Sequence, residues 1–100
     1  MKSLRVRILR RAQIDLDEIA HYHRREAPAA ADRIVDQLLD AMEGLAATPP
    51  SRALVRDERL RALGFRVLVV GLYLVFYKAS GSEVRVYRVL HGKREYRGLL

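Results

Sequence analysis

Six side chains carry what chemistry this sequence can offer: Arg66, Arg88, His91, Lys93, Arg94 and Tyr96. Five of them fall in one stretch, VYRVLHGKREY, residues 86–96. Arginine, lysine, histidine and tyrosine gathered in one place can polarise a phosphate and stabilise charge developing on it. The same groups can instead form a cationic contact surface for a partner, or simply a solvated basic tail. Other catalytic sets are missing. His21 and His23 are two residues apart, so on a helix they diverge and make no i, i+4 metal pair. The chain has no cysteine, which rules out a disulfide, a thiol nucleophile and a thiolate metal site. No Ser/His/Asp set with a nucleophile elbow is present, and Gly81 and Gly92 build no phosphate-cradling loop. No metal and no cofactor is expected.

The elements that must position these residues follow from periodicity. Leu4 to Leu9 alternates apolar and basic, a half-buried strand with Leu4, Val6 and Ile8 inward and Arg5 and Arg7 outward. Ala12, Leu16, Ile19 and Ala20, with His23 a turn further on, share one face of a helix whose early turns carry Asp15, Asp17 and Glu18. Pro28 opens a second helix with the stripe Ile34, Leu38, Ala41 and Leu45, widened by Val35, Leu39 and Met42, and Thr48-Pro49-Pro50 closes it. The two should form an antiparallel hairpin. Residues 50–64 read as a polar, basic connection anchored by Leu60 and Leu63. Residues 65–70, 72–79 and 83–91 read as three strands whose short breaks favour antiparallel hairpins, with the register at the tight first break left open. The expectation is one α+β domain over residues 1–100, β-α-α-β-β-β, with the helical hairpin on a small, mainly antiparallel sheet. Where the first strand pairs does not follow from pattern.

Strict alternation puts Arg88 in an apolar row with Val84, Val86 and Leu90. A guanidinium there needs a partner, either Asp15, Asp17 or Glu18 on the first helix, or an external anion. Both faces of the strand set are apolar, so either the sheet curls around itself or a partner covers its second face.

Nineteen Lys and Arg against twelve Asp and Glu give a formal charge of +7, which suits an acidic partner: nucleic acid, an anionic protein segment or a membrane surface. Sixteen of the nineteen bases are arginine, which base composition of the gene alone could produce. The start MKSLRVRILRR has no apolar core of a signal peptide, and no apolar run approaches the roughly 20 residues that span a bilayer. A cytoplasmic protein with no membrane association is expected.

The ordered set of motifs resembles the RelE/ParE superfamily of toxins from bacterial type II toxin–antitoxin systems. Ala12 to Ile19 looks like that family's first helix, and Ala30 to Ile34 with the leucine-rich run to Pro49 like its second. Leu63 to Val67, Tyr73 to Tyr77 and Arg88 to Gly92 look like its sheet strands. The resemblance implies one of two activities. RelE-like members are ribosome-dependent ribonucleases that use basic residues and a C-terminal tyrosine; here Arg66, His91, Lys93, Arg94 and Tyr96 would be the set. ParE-like members that have been characterised poison DNA gyrase. The RelE-like enzymes favour an arginine directly after the histidine, whereas this chain has Gly92, so the ParE-like branch fits better. Arg66, Arg88, His91, Lys93, Arg94 and Tyr96 are then candidates for target contact, and removing residues 93–100 should spare the fold while weakening toxicity. The implied partners are a cognate antitoxin, ParD-like or other, and DNA gyrase, with the ribosome and its messenger RNA as the alternative target. A third reading is a non-toxic module that acts as corepressor of its operon.

Overall fold

The computed structural model describes residues 4–47, 57–94 and 96–100. Its elements are strand β1 (Arg5–Ile8), helices α1 (Arg10–Glu26), α2 (Pro28–Gly44) and α3 (Glu58–Ala62), strands β2 (Arg66–Val70), β3 (Tyr73–Ser80) and β4 (Glu83–His91), and a 3-10 turn at Arg97–Leu99. The sheet order is β1-β4-β3-β2. Strands β2, β3 and β4 form the expected antiparallel meander, and β1 pairs with β4 in parallel, Arg5 beside Glu83 and Ile8 beside Val86. The architecture is α+β, with α1 and α2 packed on each other and against one face of the sheet.

A single residue separates the two long helices. Ala27 is extended (φ −155°, ψ 96°) because the proline that follows disfavours helical geometry before it. The α2 helix ends at Gly44; the expected stop at Thr48–Pro50 lies outside the described residues, as do Arg52 and Arg56. The connection that read as irregular contains α3. Asp57 caps it by accepting the Leu60 N–H at 3.1 Å, and Gly64, at φ +92°, turns the chain out of it. Leu60 is fully buried as expected, but Leu63 is 53% exposed and anchors nothing. Among the described residues no helix is long and apolar enough to cross a membrane.

Two clusters make the core. The first lies between helices and sheet: Ala12, Leu16, Ile19, Leu38, Met42 and Leu45 against Tyr73, Val75, Tyr77, Val84, Val86 and Val89, with Leu4, Val6 and Ile8 of β1 packed on it. The second, on the opposite face, joins Leu60, Phe65, Phe76 and Leu90, and is closed by Tyr87, Tyr96, Leu99 and Leu100. The middle of the second face is therefore covered by the chain itself, through α3 and the C-terminal segment.

A β-bulge breaks the alternation expected of β4. Phe76 pairs with Arg88 but Tyr77 pairs with Val86, which leaves Tyr87 as the extra residue. One additional residue exchanges the faces of everything beyond it. Val84 and Val86 face the helices before the bulge, and Val89 does so after it. Arg88 thus does not share a row with Val84 and Val86, which corrects the reading by strict alternation.

Burial raises the Tyr77 hydroxyl pKa above 10.0, with Arg66 opposite it offsetting part of the rise. A raised native value means that the folded state holds this proton where the unfolded chain loses it. The associated stability is whole below pH 10.0 and declines as pH climbs through the native value. Thermal unfolding across the alkaline range should show that decline in the wild type and a shallower one in Tyr77→Phe. Equal slopes would refute the assignment.

Candidate functional site

The site is built around Asp15, which is 2% exposed and lies between α1 and the free length of β4. Strand β1 stops at Ile8, beside Val86, so the outer edge of β4 is open beyond that point. Asp15 takes the place of the missing strand: its Oδ2 accepts the Val89 N–H at 3.0 Å. The same carboxylate receives Arg88 in bidentate fashion, Nε to Oδ2 at 2.7 Å and Nη2 to Oδ1 at 3.0 Å. Such paired, charge-assisted contacts are the strong kind of hydrogen bond. Arg88 Nη1 donates onward to the Leu99 carbonyl at 2.9 Å, tying the C-terminal turn to the first helix. With 6% exposure and these internal partners, Arg88 is held inside the fold.

Above this ion pair opens a cleft of about 400 Å³, bounded by the second half of α1, the β2–β3 turn and the end of β4. Ile19, Val89 and Leu90 give it an apolar floor, and Glu18, His23, His91 and Arg94 a polar rim. Tyr22 and Leu72 stand on its margin, 59% and 67% exposed. Tyr73 sits directly across from His91 in the sheet, their rings edge to face at 5.6 Å. Its hydroxyl is hydrogen-bonded to His23 Nε2 at 2.6 Å. Burial, and secondarily Tyr22, raise the Tyr73 pKa, so the hydroxyl stays protonated at neutral pH and is no base. His91 Nδ1 accepts the Lys93 N–H at 3.1 Å, which leaves Nε2 to carry the ring proton of the neutral form. The arrangement offers an apolar slot with hydrogen-bonding edges, a shape that receives a side chain or segment of a partner.

The candidates do not converge. His91 and Arg94 line the cleft, and Lys93 is exposed beside them. Arg66 pairs with Tyr77, four residues along β3 from Tyr73, the partner of His91. That offset is about 13 Å along the strands, and β2 and β4 are a further ~10 Å apart across β3. Tyr96 faces the opposite side of the sheet, its ring 4.9 Å from that of Phe76. Arg66, His91 and Tyr96 therefore surround no common point. Gly92 N–H donates to the Leu72 carbonyl at 2.8 Å, and a Cβ there would meet that oxygen at 3.4 Å, an ordinary contact. The fold would accept a side chain at 92, so packing does not dictate the glycine.

Asp15 was legible only as one of three acids that could meet Arg88. Tyr22, His23, Leu72 and Tyr73 were not read as site residues at all. The pairing of Tyr73 with His91 was implicit in the meander, but the approach of α1 to that end of the sheet was not. Among the described residues no group of three or more His, Asp or Glu side chains could hold a metal.

Comparison with known proteins agrees with this layout. The model of the ParE toxin of type II toxin–antitoxin systems, parDE, matches residues 6–96. A protein of Sinorhizobium fredii named "Putative toxin Y4kP" is 31% identical over 96 residues, 96% of each chain. A solved structure described as a chromosomal ParDE toxin–antitoxin system from P. aeruginosa superposes with a TM-score of 0.76 over 89% of this chain and 96% of that one, at 20% identity, and shares the fold. The match across almost the whole length, with the two-helix cover on a four-stranded sheet, makes this chain a member of the ParE toxin family of type II toxin–antitoxin systems.

Proposed function

We propose that this ParE-family chain is the growth-arresting member of a toxin–antitoxin pair that acts by binding DNA gyrase rather than by cleaving RNA. The observation that carries this is the dispersal of Arg66, His91 and Tyr96 over two faces and opposite ends of the sheet. A ribonuclease would need those groups within hydrogen-bond reach of one phosphate. The slot beside His91 and Arg94, with Tyr22 and Leu72 exposed at its margin, is the surface for the target. Gyrase as target places the site of action in the cytoplasm. The P. aeruginosa relative belongs to a ParDE pair, and by analogy a cognate antitoxin holds this chain in check. An acidic, amphipathic segment would suit a +7 protein, its charge speeding the encounter more than setting final affinity.

The test is a gyrase supercoiling assay with purified protein, scoring cleaved DNA, beside a ribosome-programmed messenger RNA cleavage assay. Gyrase-dependent breaks with intact RNA are expected. Arg94→Ala and Leu72→Ser should lose at least tenfold in potency while unfolding at the wild-type temperature. Cut RNA with untouched gyrase would overturn the proposal.

A further inference from the structure

We propose that the sheet face opposite α1 and α2, at the end away from the cleft, binds the phosphate backbone of duplex DNA through Arg5, Arg7, Lys78 and Arg85. The inference goes beyond the gyrase reading, and its test contains no gyrase. Because Leu4, Val6 and Ile8 pack toward the helices, Arg5 and Arg7 point to the other face. Arg85, between the inward Val84 and Val86, does the same, and so does Lys78 beside the inward Tyr77. The register then lines them up: Arg7 is paired with Arg85 across β1 and β4, and Arg85 with Lys78 across β4 and β3. Three cations stand in one cross-strand row, spaced by about 5 Å per strand.

Like charges directly opposite one another destabilise a sheet. Protection of an open edge explains cations on β1, but Arg85 and Lys78 lie on the two central strands, where no edge needs blunting. Among the described residues Glu83 is the carboxylate this row contacts, at 3.1 Å from Arg85 and 3.8 Å from Arg7, and it cannot neutralise four cations. The row has an anionic partner outside the chain.

The neighbouring aromatics decide which. Phe65 is 4% exposed and packs edge to face with Tyr87 at 5.1 Å, while the Lys78 ammonium lies over both rings, 4.4 and 5.1 Å from their centroids. Phe65 is too buried to stack on an unpaired base, and the half-buried Tyr87 is already engaged by Phe65 and the Lys78 ammonium. That leaves no platform of successive free rings of the kind that holds single-stranded nucleic acid tightly. A docked protein segment would need an apolar anchor. Yet the exposed Tyr22, Val69 and Leu72 belong to the opposite end of the sheet. Leu63, exposed beside Gly64 near Lys78, is a single side chain rather than an apolar patch. What remains is a ligand that presents phosphates alone, with its bases turned inward.

The experiment is fluorescence anisotropy with the full chain and a labelled duplex of mixed sequence over a salt series. Neutralising three to four phosphates predicts a log K against log salt slope of about −3. Arg7→Gln and Arg85→Gln should each reduce that slope by about one unit. Glu83→Gln, which removes the competing carboxylate, should tighten binding several-fold. Arg7 and Arg85 are exposed and Glu83 is half-buried with an isosteric replacement, so circular dichroism should report wild-type folds. Wild-type affinity in the Arg85→Gln and Glu83→Gln variants would overturn the proposal. So would patch-dependent preference for single-stranded RNA, or loss of binding to an acidic antitoxin peptide with duplex binding unchanged. A protein that binds duplex through this row yet spares gyrase would sink the proposed target and leave this inference standing.

Discussion

Asp15→Ala should lower the free energy of unfolding by about 3–5 kcal/mol, the loss expected when one member of a buried ion pair is removed. Two groups would be orphaned together. The Arg88 guanidinium would keep only the Leu99 carbonyl, and the Val89 N–H would face an apolar space. Small domains have about 5–15 kcal/mol in total, so such a loss would leave a sizeable unfolded fraction at growth temperature. Urea unfolding of Asp15→Ala, Arg88→Met and the double variant would measure the pair directly. The double variant should recover part of the loss, because no charge is then left buried alone. A single-variant effect below about 1 kcal/mol would put the pair in the class of solvated surface bridges and contradict its geometry. Activity lost in these variants reports on folding, which separates Asp15 and Arg88 from the exposed Arg94.

Removal of residues 96–100 should destabilise the protein by about 3 kcal/mol, from uncovered apolar surface and one lost hydrogen bond to a charged donor. Phe76 and Leu90 are almost fully buried, and Tyr96, Leu99 and Leu100 form part of their cover. The cut also takes away the Leu99 carbonyl that Arg88 uses. Read from sequence, a basic tail could be trimmed without harm to the fold; the packing reverses that expectation. Chemical denaturation, with a dye that reports exposed apolar surface, would show a lower midpoint and stronger dye binding for the shortened chain. An unchanged midpoint would mean that the second cluster holds without its C-terminal cover.

Elements with strong local period were plain in the residues. The two long helices, the three meander strands and the inward set Leu4, Val6 and Ile8 all emerge within a residue or two of where alternation or helical spacing put them. The five-residue α3 was passed over because one turn has no period to detect, although Asp57-Glu58 was a fair capping signal. The bulge was invisible because Tyr87 suits a strand whichever way it points, and that one residue moved Arg88 out of its expected row. The cleft depends on where α1 crosses the sheet, and periodicity carries no information about that distance. Tyr96 illustrates the limit most directly. Its type and position fitted a catalytic tyrosine, while its ring serves as cover for Phe76.

The parallel pairing of β1 with β4 has a consequence for synthesis. Arg5 lies beside Glu83, and Asp15 meets Arg88 across 73 intervening steps of chain. Contacts of such separation form late and slow folding, since the loop between must close first. While the ribosome is still making β2 and β3, the first strand has no neighbour and the cleft has only one wall. The cleft is therefore complete only once β4 has emerged, and its assembly is timed by the chain's own final strand.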